Sequence, residues 1–278
     1  MTRPGGSRIR AVAACLACLV SLGAAGPAQD DVARLRMVVA EHPEDARAHF
    51  DLATALPLPA GKDEALREFE RAIEGDRANP RYGNQYRRAC VLAWEYQRCI
   101  DFLEKESDAH PEVAALHLNL ALAYVDMMPT PGLGIVGQGL LSNRSIHQLD
   151  LVLESDPGSW AAMFGRAMNH LHWPRMLLHA PSAIADFKSC LGLQASVPRS
   201  GMRPHHLLPY LGLGDAYVKN SQIAEARQTW QGALKLFPSD PRLVRRLALD
   251  DDGLRKFVEE ERGLAKPIDT DLSFLWTP

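Results

Sequence analysis

Tyr210-x2-Leu213-Gly214-x2-Tyr217, followed by Ala226-x3-Trp230-x2-Ala233 and closed by Pro238, is the stretch on which the reading of the fold turns. Residues three and four apart share a helical face, so Leu213, Gly214 and Tyr217 line one face of a first helix. Ala226, Trp230 and Ala233 likewise line one face of a second. Gly214 and Ala226 lack bulk and let the two backbones approach, while Tyr217 and Trp230 fill the space above and below. Pro238 ends the pair.

Such a hairpin cannot bury its apolar stripe alone, so neighbours must stack on it. The same spacing returns upstream. His49-x2-Leu52-Ala53-x2-Leu56 with Ala65-x3-Phe69-x2-Ala72 is a second copy, closed by Pro80. His117-x2-Leu120-Ala121-x2-Tyr124 is a third, its second helix resuming at Ser145-x3-Leu149-x2-Val152 before Asp156-Pro157. A fourth is Ala161-x2-Phe164-Gly165-x2-Met168 with Ala183-x3-Phe187-x2-Cys190, and a fifth runs from Tyr86 through Cys90, Cys99 and Leu103 to Pro111.

The residue order and the period of roughly 34 resemble the tetratricopeptide repeat. The resemblance implies an all-α, right-handed α-solenoid of about five degenerate helical hairpins with terminal capping helices, and a role in binding rather than catalysis. Composition agrees: hydrophobic residues are 46% and charged residues 23% of 278, ordinary for a globular chain. No run alternates apolar and polar residues convincingly, so strands are not expected.

Residues 1–28 are of another kind. Arg3, Arg8 and Arg10 precede an apolar run from Ala11 to Ala25, and Gly26-Pro27-Ala28 offers small residues around a cleavage point before Gln29. This is the layout of a secretory signal peptide, and the run is shorter than the roughly 20 residues of a membrane span. The expected domains are therefore a signal over 1–28, a solenoid over 29–262 and a non-helical tail over 263–278, in an exported, periplasmic or extracellular protein. Membrane contact is expected only as peripheral association or through an uncleaved signal. Removing the three arginines from 31 basic residues leaves 28 against 34 acidic, a formal charge of −6. Nucleic acid is not an expected partner, since its binding shows as a basic patch.

Export leaves Cys90, Cys99 and Cys190. Cys90 and Cys99 fall on facing helices of one hairpin, where a disulfide is chemically permitted in an oxidising compartment. The alternative is that both are small buried fillers.

Two departures from the period stand out. The interval Tyr124–Ser145 exceeds Tyr217–Ala226 by twelve residues, within an apolar, glycine-rich insertion over 127–141 that includes Met127, Met128, Leu133, Ile135 and Val136. Met168–Ala183 carries an excess of six near 170–180, with His170, His172, Trp173, Pro174, Met176 and His179. Both insertions fall at the turn within a hairpin and should emerge on one edge of the solenoid, often the binding edge. Gly132-x-Gly134-x2-Gly137 spells a dinucleotide fingerprint, but that motif works only after a strand in a βαβ unit, and here a helix and two prolines precede it. No His-x3-His pair or zinc spacing is present, so no metal and no cofactor are expected. An accessory or enzymatic subunit binding a metal through His170, His179 and His206 is the alternative. No Gly-x-Ser-x-Gly elbow places a nucleophile beside a base, and the chain is not read as an enzyme.

In tetratricopeptide-repeat proteins the first helices of each pair line a groove that holds extended peptides. Carried onto this chain, the groove positions are Arg81, Asn84, Arg88, Asn119, Arg166, Asn169 and Asp215. The arginines suit an acidic segment or a free C-terminus, because Arg makes bidentate contacts to carboxylates. The other reading is that these are solvated helix faces. The ends read as caps: Leu35, Val38 and Val39 turn inward from a helix over 31–41. Leu247, Leu254 and Phe257 do the same over 243–263, with Arg245 and Arg246 outward. In the tail, Leu272, Phe274, Leu275 and Trp276 are apolar enough to dock back on the solenoid.

Overall fold

A computed structural model describes residues 27–58, 60–264 and 266–276. Among these are thirteen α-helices and no strand. Five hairpins follow one another: α2 (Ala46–Ala55) with α3 (Lys62–Gly75), α4 (Pro80–Ala93) with α5 (Tyr96–Ala109), α6 (Ala114–Met127) with α7 (Ile135–Ser155), α8 (Trp160–His172) with α9 (Ala180–Gln194), and α10 (Leu208–Lys219) with α11 (Ile223–Leu236). α1 (Pro27–Glu41) caps one end; α12 (Pro241–Ala248) and α13 (Asp251–Glu261) cap the other. The expected signal lies, through residue 26, outside the described residues.

Each second helix packs on the next first helix, and the first helices α4, α6, α8 and α10 also touch in succession. They form one continuous layer. Hairpin boundaries are written in caps: Asp45, Asn79, Ser159 and Asp240 each accept an N–H of the turn that follows, satisfying donors a helix start leaves free. Pro80 and Pro241 then occupy the first helical position, where the missing N–H costs nothing.

The sequence motif closes as its side-chain sizes dictate. Trp230 is fully buried against Gly214, where a Cβ would lie 2.1 Å from the indole nitrogen. Gly212 makes the equivalent space for Phe187 of the preceding hairpin, at 2.2 Å. These contacts join hairpins four and five into one core with Leu243, Leu254 and Val258 of the cap.

Two expectations change. The 127–141 insertion is not mainly a loop: α7 starts at Ile135, and only residues 128–134 connect it to α6. Gln138, Ser142, Ser145 and Leu149 recur at three- and four-residue intervals and are buried, so the helical stripe extends upstream through the glycines. Arg246, expected outward, is buried against Asp215. Cys90 and Cys99 are buried free thiols. They pack among Tyr86, Ile100 and Leu103. Burial and a hydrogen bond to Cys90 push the Cys99 thiol up, the behaviour of an inert core cysteine.

Candidate functional site

The layer of first helices is not bare: residues 267–276 run across it. Leu272 is buried and shares a core cluster with Leu118, Ala121 and Leu122 of α6 and Ala162 of α8. Phe274 stacks on His205 at 4.9 Å and meets Trp160 edge-on at 6.0 Å.

Polar side chains hold the backbone of this segment. Asn84 Oδ1 accepts the Leu272 N–H at 3.1 Å, and Arg87 Nη2 donates to the Thr270 carbonyl at 2.9 Å. Asn84 Nδ2 donates to Asp271 and Ser273, Gln85 to Ser273, and Arg88 pairs with Asp271. Arg87 is the hub. Buried to 1% exposure, it also donates to Asp126 Oδ2 at 2.6 Å, Asn119 Oδ1 at 3.2 Å and Asn84 Oδ1 at 2.9 Å. Asn119 in turn donates to the carbonyls of Pro80 and Ala115. It can sit there because Gly83 lies opposite; a Cβ at Gly83 would come 2.4 Å from its amide.

The seven groove positions read from sequence thus divide. Asn84 and Arg88 contact the tail, and Asn119 supports Arg87. Arg81 is exposed and lies over the Phe50 ring at 5.2 Å. Arg166 is occupied by Asp150 and Asp186 at 2.6 and 2.7 Å. Asn169 is buried against Ser142. Asp215 is fully buried between Arg246 and Arg262, each at 2.8 Å. Burial alone would raise the Asp215 carboxyl, but the two guanidiniums hold it below the ordinary value. Arg87, Gln85 and Asp126 were missed by sequence reasoning. The signal available for Arg87 was an arginine one turn beyond Gly83, on the face the repeat turns toward its neighbour.

The His-rich connection gathers some of its members. His170 and His179 meet through their Nδ1 atoms at 2.8 Å, and His179 stacks on Trp173. His172 is buried, its Nδ1 donating to the Met168 carbonyl. His206 instead accepts the Arg203 N–H. Among the described residues no group of three or more His, Cys, Asp or Glu is placed to hold a metal ion.

The connections inside consecutive hairpins form an apolar edge. Leu92 and Trp94 project between α4 and α5, Ile135, Val136 and Leu140 at the start of α7, and Met176 and Leu178 before α9. Val136 is 79% and Met176 82% exposed. Trp173 ties the last two connections together by donating to Ser142 Oγ at 2.7 Å and packing on Gly139. Met128 of the same insertion is buried, and Met127 and Leu133 are half-buried.

Residues 211–249 match the sequence model of the tetratricopeptide repeat family. No curated protein matches the chain. Among solved structures, TTC0263, a thermophilic TPR protein of Thermus thermophilus, aligns at 19% identity with a TM-score of 0.50 over 73% of this chain and 97% of its own. PilW, a type IV pilus biogenesis factor, aligns at 15% identity and 0.53 over 80% and 91%. No helix among the described residues is long and apolar enough to cross a membrane. The tetratricopeptide repeat motif is thus matched in α10 and α11, and the fold carried through the other hairpins is that of tetratricopeptide-repeat solenoids.

Proposed function

We propose that this protein is an exported, non-catalytic scaffold that holds a protein partner on the edge built by its hairpin connections. The carrying observation is that apolar edge: three successive connections project large side chains into water. An exposed apolar cluster of this kind marks an interaction site rather than a solvated surface. The insertion over 127–141 contains no charged residue, which further favours burial against a partner. Export rests on Arg3, Arg8 and Arg10 ahead of the apolar run 11–25, and N-terminal sequencing of the mature protein beginning after residue 28 would support it.

A photo-crosslinking amino acid placed at Val136 or Met176 of the full chain, in its native cells, tests the edge. The expected result is one discrete adduct from both positions and none from Lys256, which is exposed on α13. Loss of that adduct in Ile135→Asp or Leu178→Asp would strengthen the assignment. A folded chain giving no adduct at either edge position would overturn it.

A further inference from the structure

We propose that the tail is a built-in competitor for the first-helix groove, and that the groove's external ligand is an extended peptide with the tail's chemistry: an acidic residue, then leucine, then an aromatic two positions further on. This rests on the scaffold reading but concerns a different face from the edge.

The recognition elements are arranged for an extended chain. Asn84 and Arg87 satisfy one N–H and one C=O two residues apart, contacts any sequence can make. Specificity comes from side chains: Arg88 and Asn84 take Asp271, the pocket of Leu118, Ala121 and Leu122 takes Leu272, and the Trp160–His205 pair takes Phe274. Charge-assisted contacts to the carboxylate fix the register.

The tail covers this groove without filling it. A cavity of ≈ 210 Å³ remains beneath it, bounded by Phe164, Met168, Leu211, Ile268, Leu272 and Phe274. A second, of ≈ 250 Å³, lies beside the Arg88–Asp271 pair and reaches Val91 and Leu92. Leu275 and Trp276 are only half-buried, and residues 266–272 approach the groove without helical structure. Trp230, Phe187 and Leu103 belong to two helical clusters that the tail meets only through the half-buried Ile268, whereas Leu272 is its buried member in a third. Covalent attachment strengthens its hold by raising its effective concentration to the millimolar range, roughly, for a short tether. A peptide that fills the two cavities can displace it.

The test uses the full chain with Asp271→Ala and Leu272→Ala, and a fluorescent synthetic peptide of residues 266–278 added in trans. Anisotropy should report binding at least about tenfold tighter than to wild type, and Arg88→Glu in the double variant should weaken it at least about tenfold. Equal affinity for wild type and double variant, or indifference to Arg88→Glu, overturns the proposal. Hydrogen exchange on wild type gives a reading independent of the variants: the Leu272 amide should exchange at least about a hundredfold faster than amides of α6. Exchange of Leu272 only with the whole solenoid would make the tail a permanent strut and overturn it, as would a concentration-dependent dimer with exchanged tails. Loss of the groove assignment in any of these ways leaves the edge crosslinks unaffected.

Discussion

Asn84 accepts the main-chain N–H of Leu272 across a sequence separation of 188 residues. An amide side chain presents a donor and an acceptor together, and Asn84 uses both: its Nδ2 donates to the Asp271 carboxylate while its Oδ1 takes the backbone. A fully buried asparagine at this point of α4 is thus satisfied by the tail, and its Oδ1 also accepts from Arg87 Nη2 at 2.9 Å.

Arg87 and Asp126 form the buried ion pair on which the groove is built, with side chains 1% and 9% exposed. Arg87→Met should destabilise the protein by about 3–5 kcal/mol, because it leaves the Asp126 carboxylate buried and unpaired. Arg87→Met with Asp126→Leu should recover most of that loss, since replacing both charges by apolar groups is often neutral. Chemical denaturation of the two single variants and the double variant measures the coupling; additive losses would count against the pair.

Gly214→Ala places a methyl group 2.1 Å from the Trp230 indole nitrogen. Trp230 is enclosed on every side, so overpacking should cost about 1–3 kcal/mol. The reciprocal truncation, Trp230→Ala, should cost about 3–5 kcal/mol through the cavity it leaves. Gly232→Ala, where nothing lies within 4 Å, should be neutral or stabilising by about 0.5–1 kcal/mol as a helix-interior change. Thermal unfolding of the three variants orders them.

The contrast between Gly214 and Arg246 shows what the sequence makes legible. Gly214 and Trp230 are sixteen residues apart, and their sizes and spacing alone require that they meet. Arg246 offers no such constraint: on helical periodicity it belongs with Arg245 on the outer face, and it turns inward only because Asp215 is buried opposite it. The groove obeys the same rule. Asn84 and Arg88 could be placed on the first-helix layer, but the central role of Arg87 depends on Thr270, 183 residues away. The start of α7 failed for another reason. The glycine-rich insertion reads as part of the hairpin turn, yet Gly137 and Gly139 are both helical here, and Trp173 packs 3.3 Å from where a Gly139 Cβ would lie.

Asp215→Ala removes the only carboxylate between Arg246 and Arg262 among the described contacts. Arg246 is 5% exposed, so its stranded charge should cost about 3–5 kcal/mol. The damage should be local as well as global, because Arg262 begins the path of the tail and Arg246 belongs to α12. Limited trypsin digestion should cut at Arg246, Arg255 or Arg262 faster than in wild type, while sites in α2 to α5 keep their order of protection. Uniform acceleration at all sites would show that the triad does not act on the cap.

Acid should weaken the fold before the carboxylates titrate. Burial pushes His172 down to about 3, with its Nε2 buried and unpartnered. Burial, followed by His179, holds His170 at about 4, and burial with His206 holds His205 at about 4. All three take up protons near 6.5 in the unfolded chain, so between about 6.5 and 3 the unfolded state binds more protons than the folded one. Stability is then greatest above about pH 6.5 and falls as the pH drops through that window, His172 alone contributing up to about 1.4 kcal/mol per pH unit. The depressed carboxyl of Asp215 adds loss of the same sign below its ordinary value of 3.8. His172→Gln keeps a donor for the Met168 carbonyl and removes the titrating ring. It should flatten the pH dependence of the denaturation midpoint between pH 6.5 and 4, and an unchanged slope would mean that His172 is not the group being protonated.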